Sequence, residues 1–503
     1  MNLRIAEHPL VALVRDVVPD TIQVYLIGGA LRDDLLQRPL ADFDFTLSES
    51  ALYYARKTAN RLGGAFFPLD EERQTGRVIW TDEQGVRYKM DFSLLRGDSL
   101  LEDLRGRDFT INAMALDVHQ PQRIEDPLGG ARDLLGRILR VCSEFSMEED
   151  PLRVLRGIRL AVLLGLQISP QTWKLMKESA SKLGRISAER IRDELFHMLV
   201  QDRTSSAINL LERAGALEGT FPELKELMGI QQSAPHYLDV YHHTLSVLQQ
   251  LEQLRLVLTQ PPDTQWQANL ISGMTSQKLG RYRKFISEYL KEEIVPERSR
   301  WGLLKLAALY HDYGKAQTQQ RDERGHIHFY RHEEVSAQQV RERMKALAFA
   351  NNELDWVAQV VLHHMRPINL AMTNNLPSAK AVYRYYRDVG EAGIAIGIHS
   401  LADVLGAYGA TVTAEIWQRH LEVVRSLFEA WWEKKSDVVK PPVLINGYDL
   451  MESLGLSPGP QVGSILEAIR EAQASGEVTD RQQALALARQ LLDQGYSTSK
   501  TGE

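Results

Sequence analysis

The sequence predicts an α+β protein: a small mixed sheet with helices at the N-terminus, then a long, almost entirely helical remainder. Three observations carry this. Residues 21–27 (TIQVYLI) are β-branched and apolar and run into GGALRDDLLQ, a strand, a turn and a helix. The FDFTL run within residues 41–49 (ADFDFTLSE) and the stretches at 65–69, 76–81 and 86–92 read as further strands. From Ser146 onward apolar residues recur at three- and four-residue spacing through PLRVLRGIRLAVLLGL and AERIRDELFHMLV, which is the helical period.

In chain order, a helical stretch near 49–62 lies between the FDFTL strand and the three later ones. At 503 residues the chain is too long for one core, so several domains are expected. The boundaries expected are 1–140 for the head, 141–235 for a helical neck and body, 236–410 for a His-rich helical domain and 411–503 for a helical C-terminal region. Within the third, residues 257–300 break the helical pattern and read as an insertion. The Lys440-Pro441-Pro442 break introduces NGYDL and SPGPQVG, turn-like segments between helices, and the last residues (GYSTSKTGE) read as disordered.

Net charge is −7 with a pI near 6.1, so a nucleic-acid partner requires a local basic surface rather than a basic protein. A lone cysteine, Cys142, excludes a disulfide framework and fits a reducing cytosol. No run reads as long enough to span a membrane, and MNLRIAEHPL lacks the apolar segment of a signal peptide, so the expectation is a cytoplasmic protein with no membrane partner.

Alternation puts Asp42 and Asp44 on one strand face and Phe43 and Phe45 on the other. Two adjacent carboxylates repel unless a cation joins them. The glycine pair in IGGALRD (27–33), between a strand and a helix, lets backbone N–H groups approach an anion. Hard oxygen ligands beside such a loop suit a Mg2+-triphosphate complex, and RYKMDFSLL supplies a third carboxylate, Asp91.

GGALRD, DFDFT, RDFTINAMA (107–115) and EEDPLRVLRGIRLA (148–161) occur in an order that resembles the class II tRNA nucleotidyltransferase and poly(A) polymerase family. The resemblance covers roughly residues 20–230. It implies a polymerase-β-like nucleotidyltransferase head followed by a helical neck and body, with the tRNA 3′ end, CTP and ATP as partners. By that resemblance Asp42 and Asp44 hold Mg2+, Asp91 completes the catalytic carboxylates, and Gly28, Gly29 and Arg32 hold the triphosphate. Arg107, Asp108 and Asn112 match the segment that reads the ribose, with Gly106 where the family commonly has another arginine. Glu149, Asp150 and Arg153 match the family's EDxxR pattern, in which Asp and Arg read the Watson–Crick edge of CTP or ATP. A carboxylate accepts from the amine shared by C and A, and a guanidinium donates to ring acceptors. The i,i+3 spacing predicts both side chains on one helix face, extended by Arg156 and Arg159. Glu189, Arg190 and Arg192 match a further family helix, which supports triphosphate or RNA.

Downstream, His243, His311-Asp312, His332, His364 and Asp403 follow one another as H…HD…H…H…D, which resembles the HD metal-dependent phosphohydrolase domain. Imidazoles and carboxylates converging from several helices suit Mn2+, Ni2+, Fe2+ or Mg2+. LINGYDLMESLGLSPGPQVGSILEAI resembles a segment found at the end of HD-containing family members.

Only Gly97 to Gly106 separates Arg96 from RDFT, whereas full CCA-adding members typically carry a longer flexible loop there. The short segment favours CC addition, with CCA addition close behind. Poly(A) tailing, or an HD phosphohydrolase with a nucleotide-binding head, are the alternatives.

Overall fold

A computed structural model describes residues 4–122, 124–261, 269–373 and 375–494. The chain forms two compact units, one of residues 1–195 with 206–220 and the other of 196–205 with 221–503.

The first unit is built on a seven-stranded sheet. Its strands are β1 (Val24–Ile27), β2 (Asp42–Leu47), β3 (Ala65–Asp70), β4 (Thr75–Thr81), β5 (Arg87–Leu94), β6 (Ala115–Asp117) and β7 (Ile124–Glu125), in spatial order β3-β4-β5-β2-β1-β6-β7. Every neighbouring pair is antiparallel except the central β2/β5 pair. Phe43 and Phe45 face a core shared with Val24, Leu26, Met90 and Phe92, and helices Pro9–Val17 and Ala51–Leu62 cover it. That burial fixes the register of β2, because a one-residue slip would send both phenylalanines to the other face. Asp42, Asp44 and Thr46 therefore share the opposite face.

The segment Gly97–Gly106 is not an open loop. Leu100–Arg105 is a helix capped by Ser99. Asp103, 1 % exposed, accepts hydrogen bonds from the Arg96 backbone N–H and from Arg107 Nε.

The second unit is helical, with small β-hairpins at Glu293–Val295/Arg298–Ser299 and Gln319–Arg321/Ile327–Phe329 that the helical period does not foreshadow. Within the run expected as an insertion, Leu270–Leu279 and Arg283–Lys291 are helices, and buried Leu279, Tyr282 and Ile286 anchor them. Segment Ala392–Thr411 reaches the length and hydropathy of a membrane span but is 89 % buried, which makes it a core element. The last three described helices, Gly447–Leu454, Pro460–Ala474 and Arg481–Asp493, close their own apolar cluster around Leu450, Ile465 and Ala484. The terminal stretch GYSTSKTGE, expected to be disordered, lies outside the described residues.

Candidate active site and metal centre

The parallel pairing of β2 with β5 sets Asp44 opposite Asp91, and the next pairing sets Asp91 opposite Arg77. Arg77 grips Asp91 with both arms of its guanidinium, Nε at 2.8 Å and a terminal nitrogen at 2.9 Å. Among the described residues no such fork holds the other two carboxylates. Asp42 is three-quarters exposed, with Lys89 at 4.0 Å. Burial raises the pKa of Asp44; Arg107 opposes the rise, while Asp91 and Asp42 add to it. A divalent cation relieves that strain, and two closely set carboxylates offer it the hard oxygen ligands it prefers. The donor set fits Mg2+.

Antiparallel pairing of β1 with β2 brings the end of β1 beside Asp44, and Gly28 follows at φ +91°. A Cβ on Gly28 would stand 3.0 Å from Asp44 Oδ2. Beyond it, one polar chain lines a cavity of about 320 Å3 that also contains Gly29, Asp42 and Asp44. Arg32 donates to Asn112 (2.6 Å), Asn112 to Asp108 (3.1 Å), and Arg156 lies 3.3 Å from both Asp108 and Glu194. Arg159 closes on Glu194 at 2.8 Å. Burial works against the Asp108 carboxylate, but Arg156, Asn112 and the Phe109 N–H outweigh it and hold its pKa below the usual range. The structure thus gathers Gly28, Gly29, Arg32, Arg107, Asp108, Asn112, Arg156 and Arg159 around one cavity with Asp42 and Asp44.

The expectation that Asp150 and Arg153 share one helix face is overturned. Ser146–Glu149 is one helix, Asp150 is extended (φ −144°, ψ 95°), and a second helix runs Arg153–Leu164. Pro151 explains the break, since a residue before proline is pushed out of the helical region. Asp150 instead meets Arg190 at 2.7 Å. Arg153 is 8 % exposed and donates to the Gly106 carbonyl (2.7 Å), the Ser146 hydroxyl (2.8 Å) and the Ser146 carbonyl (3.1 Å), with Glu149 at 3.5 Å. It ties the segment before RDFT to the following helices. Asp150, Arg153 and Arg190 line a second cavity of about 1060 Å3, together with Arg73 and Arg96. Arg73, Arg96 and Arg190 bring positive charge to the rim of this cavity, beside Asp150 and the buried Arg153. Glu189 is exposed, and Arg192 pairs with Asp193 at 2.8 Å.

In the second unit the predicted histidines and aspartates converge. His243 Nε2 lies 3.0 Å from Asp403 and 3.5 Å from Asp312; His311 Nε2 lies 3.1 Å from Asp312. On the other side of Asp312, His332 Nε2 stands at 3.3 Å and His364 Nε2 at 3.8 Å. Donor atoms of His243, His311 and Asp312 lie within 4.8 Å of one another, as do those of Asp312, His332 and His364. His311, His332 and His364 each point Nδ1 at the carbonyl three residues earlier, at 2.7–2.9 Å. That fixes the ring and turns Nε2 inward, as metal-binding imidazoles are held. His311 Nε2 makes no hydrogen bond among the described residues despite its nearness to carboxylate. Two triads sharing Asp312 fit divalent cations. Burial disfavours the charged His311 ring, but Asp312 and Asp403 outweigh it and raise its pKa; His364 is pushed well below its ordinary value by burial and by His311 and His332.

Residues 24–140 match the poly A polymerase head domain, 165–228 the probable RNA and SrmB-binding site of polymerase A, and 240–407 the HD domain. An A-adding tRNA nucleotidyltransferase of Deinococcus radiodurans is 33% identical over 475 residues, 93% of this chain and 95% of that protein. The chain belongs to the tRNA nucleotidyltransferase and poly(A) polymerase family. A CC-adding tRNA nucleotidyltransferase of Thermus thermophilus is 31% identical over 470 residues, 92% of each chain. Among solved structures, an apo CCA-adding enzyme shares the fold, with TM-score 0.59 at 19% identity over 98% of this chain and 94% of that one.

Within this nucleotidyltransferase, three groups at the two sites escaped the reading of the sequence. Arg77 sits opposite Asp91, and only the strand register reveals the pairing. Lys315 donates to Asp312 at 2.6 Å, a contact that its place three residues after Asp312 in HDYGK foreshadows. His399 precedes Asp403 by one helical turn and is fully buried.

Proposed function

We propose that the protein extends the 3′ end of tRNA without a nucleic-acid template, adding C from CTP and leaving a CC end. The carrying observation is the register that sets Asp44 against Asp91, with Asp42 on the same face and Gly28 closing on Asp44. Mg2+ held by Asp42 and Asp44 supplies, when bound, an activated 3′-hydroxyl and charge neutralisation at the α-phosphate and departing pyrophosphate. Gly28 and Gly29 let backbone approach the triphosphate, and Arg32 and Arg156, each held by a neighbour, present positive charge to it. Asp108 and Asn112, already hydrogen-bonded to one another, face the ribose. Asp91 is occupied by Arg77, so it acts by keeping negative charge beside Asp44 and fixing the strand pair.

Base choice falls to Asp150, whose carboxylate accepts from the amine common to C and A. Arg190 holds that carboxylate at the cavity wall. Arg153, buried against the Gly106 and Ser146 carbonyls, fixes the depth of the pocket and gives its donors to a base edge by exchanging one of these partners.

The preference for CC rests on the short 97–106 segment, which the Asp103 bonds hold as a capped helix and so deprive of the freedom needed to reshape the pocket from C to A. A-addition is the second reading, and the Deinococcus radiodurans relative favours it. Supplying CTP alone and then ATP, to tRNA ending at the base before CCA and to tRNA ending in CC, separates them. Two C residues and no A support CC addition. Extension of the second tRNA alone, by A, replaces it with the second reading.

The HD residues form a second centre, for which we propose a transition-metal occupant, Mn2+, Ni2+ or Fe2+, over Mg2+, because imidazoles dominate the donor set. Phosphate-ester hydrolysis there is the activity this donor set supports. The lone Cys142 supports a reducing, cytoplasmic setting.

A further inference from the structure

His399 lies in Ala392–Tyr408, a helix whose other residues facing the interior are almost all small or aliphatic. An apolar residue there would leave no polar group to satisfy. Instead the position holds an imidazole that is 0 % exposed, and neither ring nitrogen has a hydrogen-bond partner among the described residues. Leaving a buried polar group unsatisfied costs about 1–3 kcal/mol. The neighbouring buried histidine, His420, meets that cost with Ser400 at 3.1 Å.

The ring spacings say what His399 faces. Its centroid is 4.8 Å from that of His311 and 5.8 Å from that of His364. The rings expected to hold metal are spaced alike among themselves: His243–His311 at 5.4 Å, His311–His364 at 5.2 Å and His332–His364 at 5.3 Å. Two imidazoles on one ion, each nitrogen about 2.1 Å from it, have centroids roughly 5 Å apart. His399 thus stands in the same lattice of rings, between a member of one triad and a member of the other. It also sits one helical turn before Asp403, on the helix face that carries that carboxylate inward. His236 approaches His243 at 4.9 Å, but it is half-buried and meets no second ligand ring among the described residues.

We propose that His399 is a further ligand of the HD metal centre, adding a fifth imidazole to His243, His311, His332 and His364. The inference rests on the reading of that centre as a metal site. A fifth imidazole deepens its nitrogen character and biases it toward Ni2+ or Fe2+ and away from Mg2+.

The test uses the full chain and Ni2+ alone. Wild type, His399→Leu and His399→Gln are loaded with Ni2+, dialysed, assayed for bound metal and examined by X-ray absorption, which counts imidazoles around the ion. In both variants the average imidazole count per ion is expected to fall and the apparent Kd for Ni2+ to rise about 10-fold or more. Thermal melting and nucleotide addition by the head report whether each variant is folded. The glutamine variant, close in size and still polar, decides the matter if the leucine variant melts early. Wild-type counts and affinity in a folded variant overturn the role of His399 while leaving the centre intact. Failure of wild type itself to retain Ni2+, with Asp312→Ala indistinguishable from it, overturns the centre and the proposal together.

Discussion

Gly28 and Asp44 are in such close approach that a single added methyl at Gly28 would stand 3.0 Å from Asp44 Oδ2. Gly28 also sits at φ +91°, where a side chain is strained whatever the space around it. Gly28→Ala therefore pushes the carboxylate and strains the turn together. Nucleotide addition is expected to fall at least 100-fold, and unfolding free energy by about 1–3 kcal/mol. Steady-state kinetics and a denaturant melt read the two effects separately; wild-type activity in the alanine variant would contradict the close approach.

Asp44→Asn separates catalysis from stability. Because burial and the neighbouring Asp91 and Asp42 raise the pKa of Asp44 over the opposing Arg107, the folded protein holds that proton more tightly than the unfolded chain. Stability without metal therefore falls as pH rises from the unfolded pKa through the folded one. The asparagine variant is expected to melt higher than wild type without Mg2+ and to gain less when Mg2+ is added. Its nucleotide addition should drop by about 10^3-fold or more, the several kcal/mol that a metal contributes. Equal melting of the two proteins without Mg2+ would show that Asp44 carries no such penalty.

Why the carboxylate pair was legible in the sequence, and its surroundings only partly, follows from the range of the interactions. Alternation over residues 42–47 assigns faces within one strand, so Asp42, Asp44, Phe43 and Phe45 could be placed without a fold. The Arg77–Asp91 fork depends on which strand lies beside which, a long-range choice with no local signature. The break at Asp150 had a local signature in Pro151, and the spacing argument for one helix face passed over it. The histidines that converge follow the order the resemblance implies, yet His399 lies outside that pattern, and only its burial beside His311 draws attention to it. Helices Leu270–Leu279 and Arg283–Lys291 were obscured because polar residues interrupt the apolar period.

Arg153→Lys keeps the charge but cannot reproduce a fork that meets the Gly106 and Ser146 carbonyls and the Ser146 hydroxyl at once. Leaving these buried acceptors short is expected to cost about 2–3 kcal/mol of stability. The same change loosens the wall opposite Asp150, so misincorporation of UTP and GTP should rise relative to CTP. Competition between the four nucleotides on one tRNA measures this. Unchanged discrimination with reduced stability would confine Arg153 to holding the 106–107 segment in place.

His420 gives the second unit a pH dependence from a group outside the expected set of metal ligands. Burial pushes its pKa down to about 4, with Asp403 and Ser400 opposing weakly, and its ring meets the Ser400 hydroxyl at 3.1 Å. The unfolded chain takes up this proton near pH 6.5 and the folded chain only near 4, so stability is full above pH 6.5 and lost as pH falls toward 4. The loss attributable to this group approaches about 3 kcal/mol at pH 4. His420→Gln keeps a hydrogen-bonding partner for Ser400 and removes the proton site, so its stability should decline less steeply over that window. Denaturant melts of both proteins at intervals from pH 7 to pH 4.5 measure the difference in slope. Parallel curves would mean that His420 takes up its proton equally well folded and unfolded, and that its burial carries no cost in charge.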